Sequence, residues 1–235
     1  LRVGSGSEII TAVKTRREMI VLTDTSVFSM QFIGPPFTFG INQLASSITV
    51  RGFNTAVAVG DAVFWMGYDR FYIYDGRVQV IPCSVRDHVF QDFNETQSDK
   101  VYAGVNSAFG EVFWFYPSAT NAVANGGSGE NDKYVVYNYD QKIWYVGSLA
   151  RSSWIDRGVY QYPMATDSNL VYNHEKGNDN DGTAFTSFIQ SSPIDVQDGD
   201  QFVFLRRMIP DISFENSDSN ISNDNKQAVL SLKAQ

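Results

Sequence analysis

The chain has 235 residues and carries 26 acidic against 18 basic side chains, which gives a formal net charge of −8. That charge repels nucleic acid rather than binding it, so it disfavours a DNA or RNA reader. Aromatic residues make up 14% of the chain, which argues against disorder and predicts a packed aromatic core. No apolar stretch approaches the roughly 20 residues that a membrane-spanning helix needs.

The only cysteine, Cys83, cannot form an internal disulfide or a cysteine-based zinc site. It lies between Pro82 and a predicted helix, a position that can lower the pKa of a thiol. No motif gives a thiolate a function here, however. We therefore predict that Cys83 is a buried small hydrophobic residue.

Both ends of the sequence resemble cut ends. The chain opens at Leu1, and residues 227–235 stop inside an alternating strand pattern. We therefore expect residues 1–235 to be a fragment of a larger propeller-like β domain. Residues 195–235 are expected to belong either to a further blade or to a second β domain.

Apolar strands separated by turns that contain Asp or Asn recur along the chain, which is the pattern of antiparallel hairpins. The predicted hairpins, in chain order, pair residues 19–22 with 27–32, 101–105 with 111–116, 134–139 with 143–146, and 164–166 with 170–172. A meander of four strands is predicted at residues 55–59, 62–66, 71–74 and 77–81. Four antiparallel strands in a row are what one propeller blade requires.

Within this meander we predict that Val63, Trp65, Phe71 and Ile73 lie inside the blade or between blades, with Trp65 and Phe71 packing across their turn. The turn spacing along the chain brackets the roughly 40 to 50 residues of a propeller blade, but it is not regular. The predicted fold is therefore all-β, with irregular propeller-like blades of antiparallel meanders. A two-sheet β-sandwich is the alternative.

Helix is predicted only at residues 85–93, where Val85, Val89 and Phe93 share one face and Ser84 is the predicted N-cap. Two polar segments, residues 118–132 and 215–226, are rich in turn-forming residues and are predicted to be flexible loops. They are also the expected contact points with neighbouring molecules.

Catalytic chemistry is difficult to place in this sequence. The two histidines, His88 and His174, have no nucleophile elbow beside them, so neither is predicted to be catalytic. Glycoside hydrolysis needs only two carboxylates at a defined separation. The most prominent carboxylates all lie where turn geometry alone favours aspartate; they are Asp24, Asp69, Asp140 and Asp167.

Two motif-like segments also fail as binding sites. Residues 177–182 are acidic like the start of a calcium loop, but the first loop position is Gly177 and the closing glutamate position is Phe188. Residues 4–7 are glycine-rich but precede a strand rather than a helix, which excludes a phosphate loop. The sequence thus predicts no enzyme and no catalytic, cofactor-binding or metal-binding residue.

Several segments resemble structural proteins of bacteriophage tails and necks, the tube, nozzle or hub proteins of short-tailed phages. One is Ser29-Met-Gln-Phe-Ile-Gly-Pro-Pro-Phe-Thr-Phe-Gly40. The others are residues 14–25, 62–67, 71–76, 99–104, 113–118, 134–139 and 154–158. These segments span most of the chain, but none of them carries an active site.

The resemblance implies a virion protein that is assembled in the cytoplasm of the host bacterium and forms a ring, commonly of six copies. It implies contacts with the adaptor on the portal side and with other tail proteins. Genomic DNA would pass through the ring without sequence-specific binding. The acidic excess suits a channel wall that repels phosphates, although it is explained equally well by solubility.

Two other classes of protein remain open. A carbohydrate-binding or carbohydrate-processing propeller would need a convergent pair of carboxylates flanked by exposed aromatic rings. A kelch-like interaction module is suggested by residues 137–144, which resemble a kelch strand pair. Such a module would carry a regular Gly-Gly in each blade, which this sequence lacks.

Overall fold

The structure is a computed structural model that describes residues 8–177, 179–180, 182–184, 206–211 and 229–231. The chain divides into two units, Leu1–Asn178 and Asp179–Gln235. In the second unit a short hairpin joins β16 (Asp179–Asn180) to β17 (Thr183–Ala184). The remaining strands, β1 to β15, lie in the first unit.

The first unit contains four antiparallel sheets in chain order, each formed by consecutive strands. Sheet 1 consists of β1 (Ile9–Lys14), β2 (Met19–Thr23), β3 (Ser26–Phe32) and β4 (Phe39–Ser46). Sheet 2 consists of β5 (Ala56–Val59), β6 (Ala62–Met66), β7 (Phe71–Tyr74) and β8 (Val78–Ile81). Sheet 3 consists of β9 (Tyr102–Asn106), β10 (Glu111–Tyr116), β11 (Lys133–Asn138) and β12 (Ile143–Ser148). Sheet 4 has three strands, β13 (Ser153–Ile155), β14 (Met164–Asp167) and β15 (Leu170–Asn173).

Neighbouring sheets bury apolar cores between their faces. Sheets 1 and 2 enclose Ile20, Leu22, Val27, Val63 and Trp65. Sheets 2 and 3 enclose a larger core that includes Met66, Phe71, Val112, Trp114 and Val135. Sheets 3 and 4 share Phe115, Trp154 and Ala165. Burial of each such large side chain contributes about 1.5 to 3 kcal/mol, so the sheets are held together mainly by these faces.

The first strands of successive sheets also lie beside one another, because β1 contacts β5, β5 contacts β9, and β9 contacts β13. Face-to-face meanders with adjacent first strands are the blade arrangement of a propeller. The predicted all-β fold of antiparallel meanders is therefore confirmed. Each neighbouring pair of sheets also has the face-to-face packing of a sandwich.

The predicted contact between Trp65 and Phe71 is wrong, and the reason is strand alternation. In the hairpin of β6 and β7, Trp65 pairs with Tyr72 and Met66 pairs with Phe71. Trp65 stacks on Tyr72 at 5.3 Å between ring centroids, and both face sheet 1. Phe71 points to the opposite face, toward sheet 3, since successive side chains of a strand alternate.

The predicted helix at residues 85–93 is shorter in the structure, where α1 spans Arg86–Gln91. Val89 and Phe93 are buried, as its apolar spacing predicts. Ser84 does not cap it, because the N-cap is Val85 and no side chain caps the helix. Two 3₁₀ segments, Glu95–Lys100 and Val123–Asn125, were not predicted.

The segment at residues 118–132 is held by more hydrogen bonds than its composition suggests. Ser118 donates to Asp132 at 2.7 Å through both its backbone amide and its hydroxyl. The side chain of Asn121 bonds to Ser128 and to the backbone carbonyl of Glu130. The other predicted loop, at residues 215–226, lies outside the described residues, as do residues 1–7 and most of residues 195–235.

Candidate functional site

A cavity of about 680 Å³ lies along the first strands of the four sheets. Its walls come from β1, β5, β9 and β13 and from the residues beside them. Lys14 and Asp156 supply the charged groups, and Phe53 and Tyr102 supply aromatic rings. The volume falls in the range of small-molecule sites, but the lining is mainly small apolar residues and backbone.

A group of polar side chains lies where the end of sheet 3 meets the loop after β15. Asn106, at the end of β9, is fully buried. Its Nδ2 donates to Oε1 of Glu175 at 3.3 Å. Glu111 pairs directly with Asn106 across β9 and β10, and it accepts a hydrogen bond from the hydroxyl of Tyr145 on β12. We call these four residues the acidic cluster.

The electrostatics of the acidic cluster disfavour negative charge. Burial, and then the charge of Glu175, raise the pKa of Glu111, although the hydrogen bond from Tyr145 acts in the opposite direction. Burial and the bond to Glu111 also raise the pKa of Tyr145. Within the described part of the chain, no Lys or Arg forms an ion pair with Glu111 or Glu175.

His174 directly follows β15, as predicted, and contacts side chains from sheet 4 and the segment before it. Nε of Arg151 donates to its Nε2 at 2.9 Å, and its ring packs against Trp154 at 4.8 Å between centroids. Burial, and then the charge of Arg151, lower the pKa of His174 to about 4. The ring is therefore neutral, accepts the hydrogen bond from Arg151 through Nε2 and packs against Trp154.

The remaining histidine and the cysteine have different surroundings. His88 is exposed on α1. Cys83 is half-buried, and burial raises its pKa to about 11. Its thiol is thus protonated at neutral pH, despite the helix that follows.

The four aspartates singled out from the sequence lie at or beside hairpin turns, as their residue type favours. Asp69 is held by Arg70 at 2.6 Å and by Arg86 at 3.5 Å.

The acidic run at residues 177–182 falls partly outside the described residues, and Asp179 and Asn180 within it belong to the β16–β17 hairpin. The acidic cluster was not predicted, because Glu111 and Glu175 are 64 residues apart and no local motif connects them.

An exposed apolar surface occurs at the tip of the β3–β4 hairpin. Phe32 and Phe37 are 71% and 72% exposed, and Ile33 and Phe39 are 56% and 44% exposed. The rings of Phe32 and Phe39 meet edge to face at 6.0 Å, and the amide of Ile33 donates to the carbonyl of Thr38 at 3.1 Å. We call these four apolar residues the hairpin tip.

In the described residues, no group of three or more His, Cys, Asp or Glu side chains is arranged to hold a metal ion. Over the same residues, no helix is long and apolar enough to cross a membrane.

Comparison with known proteins gives no family. No family model matches the sequence, and no curated protein matches it. Among solved structures, the extracellular domain of a putative one-component system from B. thetaiotaomicron is 10% identical with a TM-score of 0.46, over 81% of this chain and 24% of that one. The chain thus spans about a quarter of that protein's length.

Two plant proteins have still lower TM-scores. A 2S albumin seed protein from Dolichos is 11% identical with a TM-score of 0.33, over 70% of this chain and 85% of that one. A lectin with two metal-binding sites from Cicer arietinum is 11% identical with a TM-score of 0.33, over 74% of this chain and 91% of that one. Likenesses this distant support no inference about the function of this chain.

Proposed function

We propose that this chain is a structural component of a bacteriophage tail, forming part of a ring of identical copies around the channel through which DNA leaves. The observation that carries the proposal is the hairpin tip, in which four large apolar side chains are exposed in one turn and the rings of Phe32 and Phe39 are in contact. Contiguous apolar surface of this kind marks an interaction site. The tip lies inside residues 29–40, one of the segments that resemble phage tail proteins.

The packing of the sheets supports the same proposal. Sheets 1 to 4 are joined by apolar faces in a series, and sheet 4 leaves Ile155, Leu170 and Val171 more than half exposed. A copy that inserts its hairpin tip into a different surface of its neighbour makes a heterologous contact, and repeated contacts of this kind form a ring where the rotation between neighbours closes. The resemblance implies six copies.

The proposal is tested by the assembly state of the full-length protein. Electron microscopy and light scattering should show a closed ring for the native sequence. The double substitution Phe32→Ser with Phe37→Ser should yield monomers, because it removes two rings from the contact. Phe109→Ser is the matched control, since Phe109 is 53% exposed in another turn, and this variant should still form rings. A native protein that remains monomeric at high concentration would contradict the proposal.

We also propose that the channel wall of the ring is more negative than its outer surface. A duplex that slides past Lys and Arg gains salt-dependent contacts to its phosphates, which retard it, whereas carboxylates repel it. Exchange of several channel carboxylates for Lys should therefore slow DNA ejection, and more so at low salt than at high salt. Ejection rates that do not respond to these exchanges would leave solubility as the explanation of the net charge of −8.

A carbohydrate-processing propeller remains the second candidate, because Glu111 and Glu175 form a pair of nearby carboxylates. Its other requirement is a platform of exposed aromatic rings beside the pair. Two rings that interact with Glu111, Tyr139 and Tyr145, are half-buried, and the hydroxyl of Tyr145 already bonds to Glu111. Hydrolysis of a glycoside panel that is abolished by Glu111→Gln would favour this candidate over the structural one.

A further inference from the structure

Arg151 is a buried cation without a carboxylate partner. The residue is 7% exposed, and in the described part of the chain no Asp or Glu forms an ion pair with it. Burial lowers the pKa of Arg151, but a guanidinium stays protonated in proteins. The positive charge therefore persists, although buried charges are normally paired.

The contacts of Arg51, which is also buried, show what Arg151 lacks. Each nitrogen of the Arg51 guanidinium donates to an acceptor, and these acceptors are the carbonyls of Gly67 and Tyr68 and the carboxylate of Glu95. In Arg151, Nε donates to Nε2 of His174 at 2.9 Å, and Nη1 donates to the carbonyl of Ala150 at 2.6 Å. Among the described residues, none accepts a hydrogen bond from Nη2 of Arg151.

Neighbouring side chains hold this guanidinium in place without cancelling its charge. Its central carbon lies 4.4 Å from the centroid of the Tyr172 ring. The charge of Asp167 attracts it, but the two groups do not form an ion pair. After burial, the charge of Arg151 is the cause that lowers the pKa of His174, as expected beside a cation that is not neutralised.

We propose that Arg151 binds a small oxyanion, of the carboxylate or phosphate type, through Nη2. The N–H groups of a guanidinium form a planar fork that fits two oxygens of such an anion. Nη2 offers two N–H groups, and Nη1 keeps one after its bond to Ala150. The bond between Arg51 and Glu95 is an example in this chain of a buried arginine that pairs with a carboxylate.

The site should be weak and should take only small ions. Arg151 exposes little of its surface, so a bulky anion does not reach Nη2. The carboxylate of Asp167 acts on the same guanidinium, so it repels any anion bound there. This inference does not depend on the proposed role in a phage tail, because it concerns side chains within one molecule.

Thermal unfolding and NMR test the site in the full-length protein. Sulfate represents phosphate-type anions, acetate represents carboxylates, and chloride at equal ionic strength is the reference. A bound oxyanion should raise the unfolding midpoint by a few degrees at about 20 mM, since a ligand that binds only the folded state stabilises it. It should also raise the pKa of His174, because it offsets the charge of Arg151. The probe that acts more strongly identifies the type of oxyanion.

Variants near sheet 4 separate this site from general charge effects. Arg151→Gln should abolish both responses, whereas Arg157→Gln, which removes an exposed arginine after β13, should retain them. If Arg151→Gln does not fold, Asp167→Asn decides, because it removes the repulsive charge and should strengthen binding several-fold. Asp75→Asn removes an exposed charge on the β7–β8 turn and should leave binding unchanged.

The proposal is overturned if neither sulfate nor acetate shifts the native midpoint beyond the effect of chloride. It is also overturned if the responses survive in Arg151→Gln, or if Asp167→Asn binds no more tightly than the native protein.

Discussion

The indole of Trp154 lies directly on Gly104, so closely that a Cβ atom on Gly104 would be 2.5 Å from Cδ1 and 2.6 Å from Cγ of the ring. Trp154 is the main side chain that joins sheet 4 to sheet 3, where it stacks on Phe113 at 5.2 Å between centroids. Its Nε1 donates to the carbonyl of Val105 at 2.8 Å. Gly104 thus sets how closely these two sheets approach.

Substitution of Gly104 by alanine should separate sheets 3 and 4. The added methyl group has no space under Trp154, and overpacking of this kind costs about 1 to 3 kcal/mol. The free energy of unfolding, measured by denaturant titration, should fall by that amount. Gly158→Ala is the control, because a Cβ at Gly158 meets no atom within 4 Å, and its midpoint should be unchanged. Equal midpoints for the two variants would show that sheet 4 can shift without cost.

Arg51 should be more important for stability than its ion-pair partner Glu95. The side chain of Arg51 is fully buried, whereas that of Glu95 is 64% exposed. The guanidinium also donates to the carbonyls of Gly67 and Tyr68 and lies 4.0 Å from the centroid of the Phe93 ring.

We therefore expect Arg51→Met to lower the free energy of unfolding by about 2 to 3 kcal/mol, because it leaves carbonyls unsatisfied. Glu95→Gln should cost less than about 1 kcal/mol, since the carboxylate of Glu95 is mostly exposed and water screens its attraction to the guanidinium. Chemical unfolding of the two variants measures the difference. Equal losses would mean that the ion pair, rather than the carbonyl bonds and ring contacts, is what stabilises this junction.

Stability should fall as the pH drops below the ordinary pKa of histidine. The pKa of His174 is lowered to about 4 in the folded chain, and in the unfolded chain it returns to about 6.5. A histidine with a lowered folded pKa stabilises fully above its unfolded pKa, and this contribution is lost as the pH falls through the folded value.

Urea midpoints measured between pH 7.5 and 4 should therefore decline more steeply for the native chain than for His174→Gln. The exposed His88 provides the control, because His88→Gln should keep the native slope. Identical slopes for the native chain and His174→Gln would show that the pKa of His174 is the same in the folded and the unfolded chain.

Cys83 should react slowly with alkylating agents. With its pKa raised to about 11 by burial, about one thiol in a thousand is ionised at pH 8, and the thiolate is the reactive form. Iodoacetamide labelling followed by mass spectrometry should show slow modification that accelerates in urea. Cys83→Ser should be functionally silent apart from a modest packing loss. Loss of infectivity in a tail that assembles normally would reveal a function for the thiol.

The sequence by itself determined most of the local structure. Strands such as β6 and β7 were predicted to within a residue, because their apolar runs and the intervening turn at residues 67–70 are local signals. Both β4 and β13 were missed. Their side chains alternate poorly between buried and exposed, and they become strands only by pairing with β3 and β14.

The tertiary structure decided which faces meet and which polar groups come together. Because the register of β6 and β7 pairs Met66 with Phe71, these two side chains share one face, and Trp65 points to the opposite face. The acidic cluster likewise depends on a chain reversal that brings Glu175 to Asn106, 69 residues away. Hydrophobic periodicity predicts which side chains of one strand share a face. Contacts between sheets depend on how the whole chain folds, and no local sequence pattern predicts them.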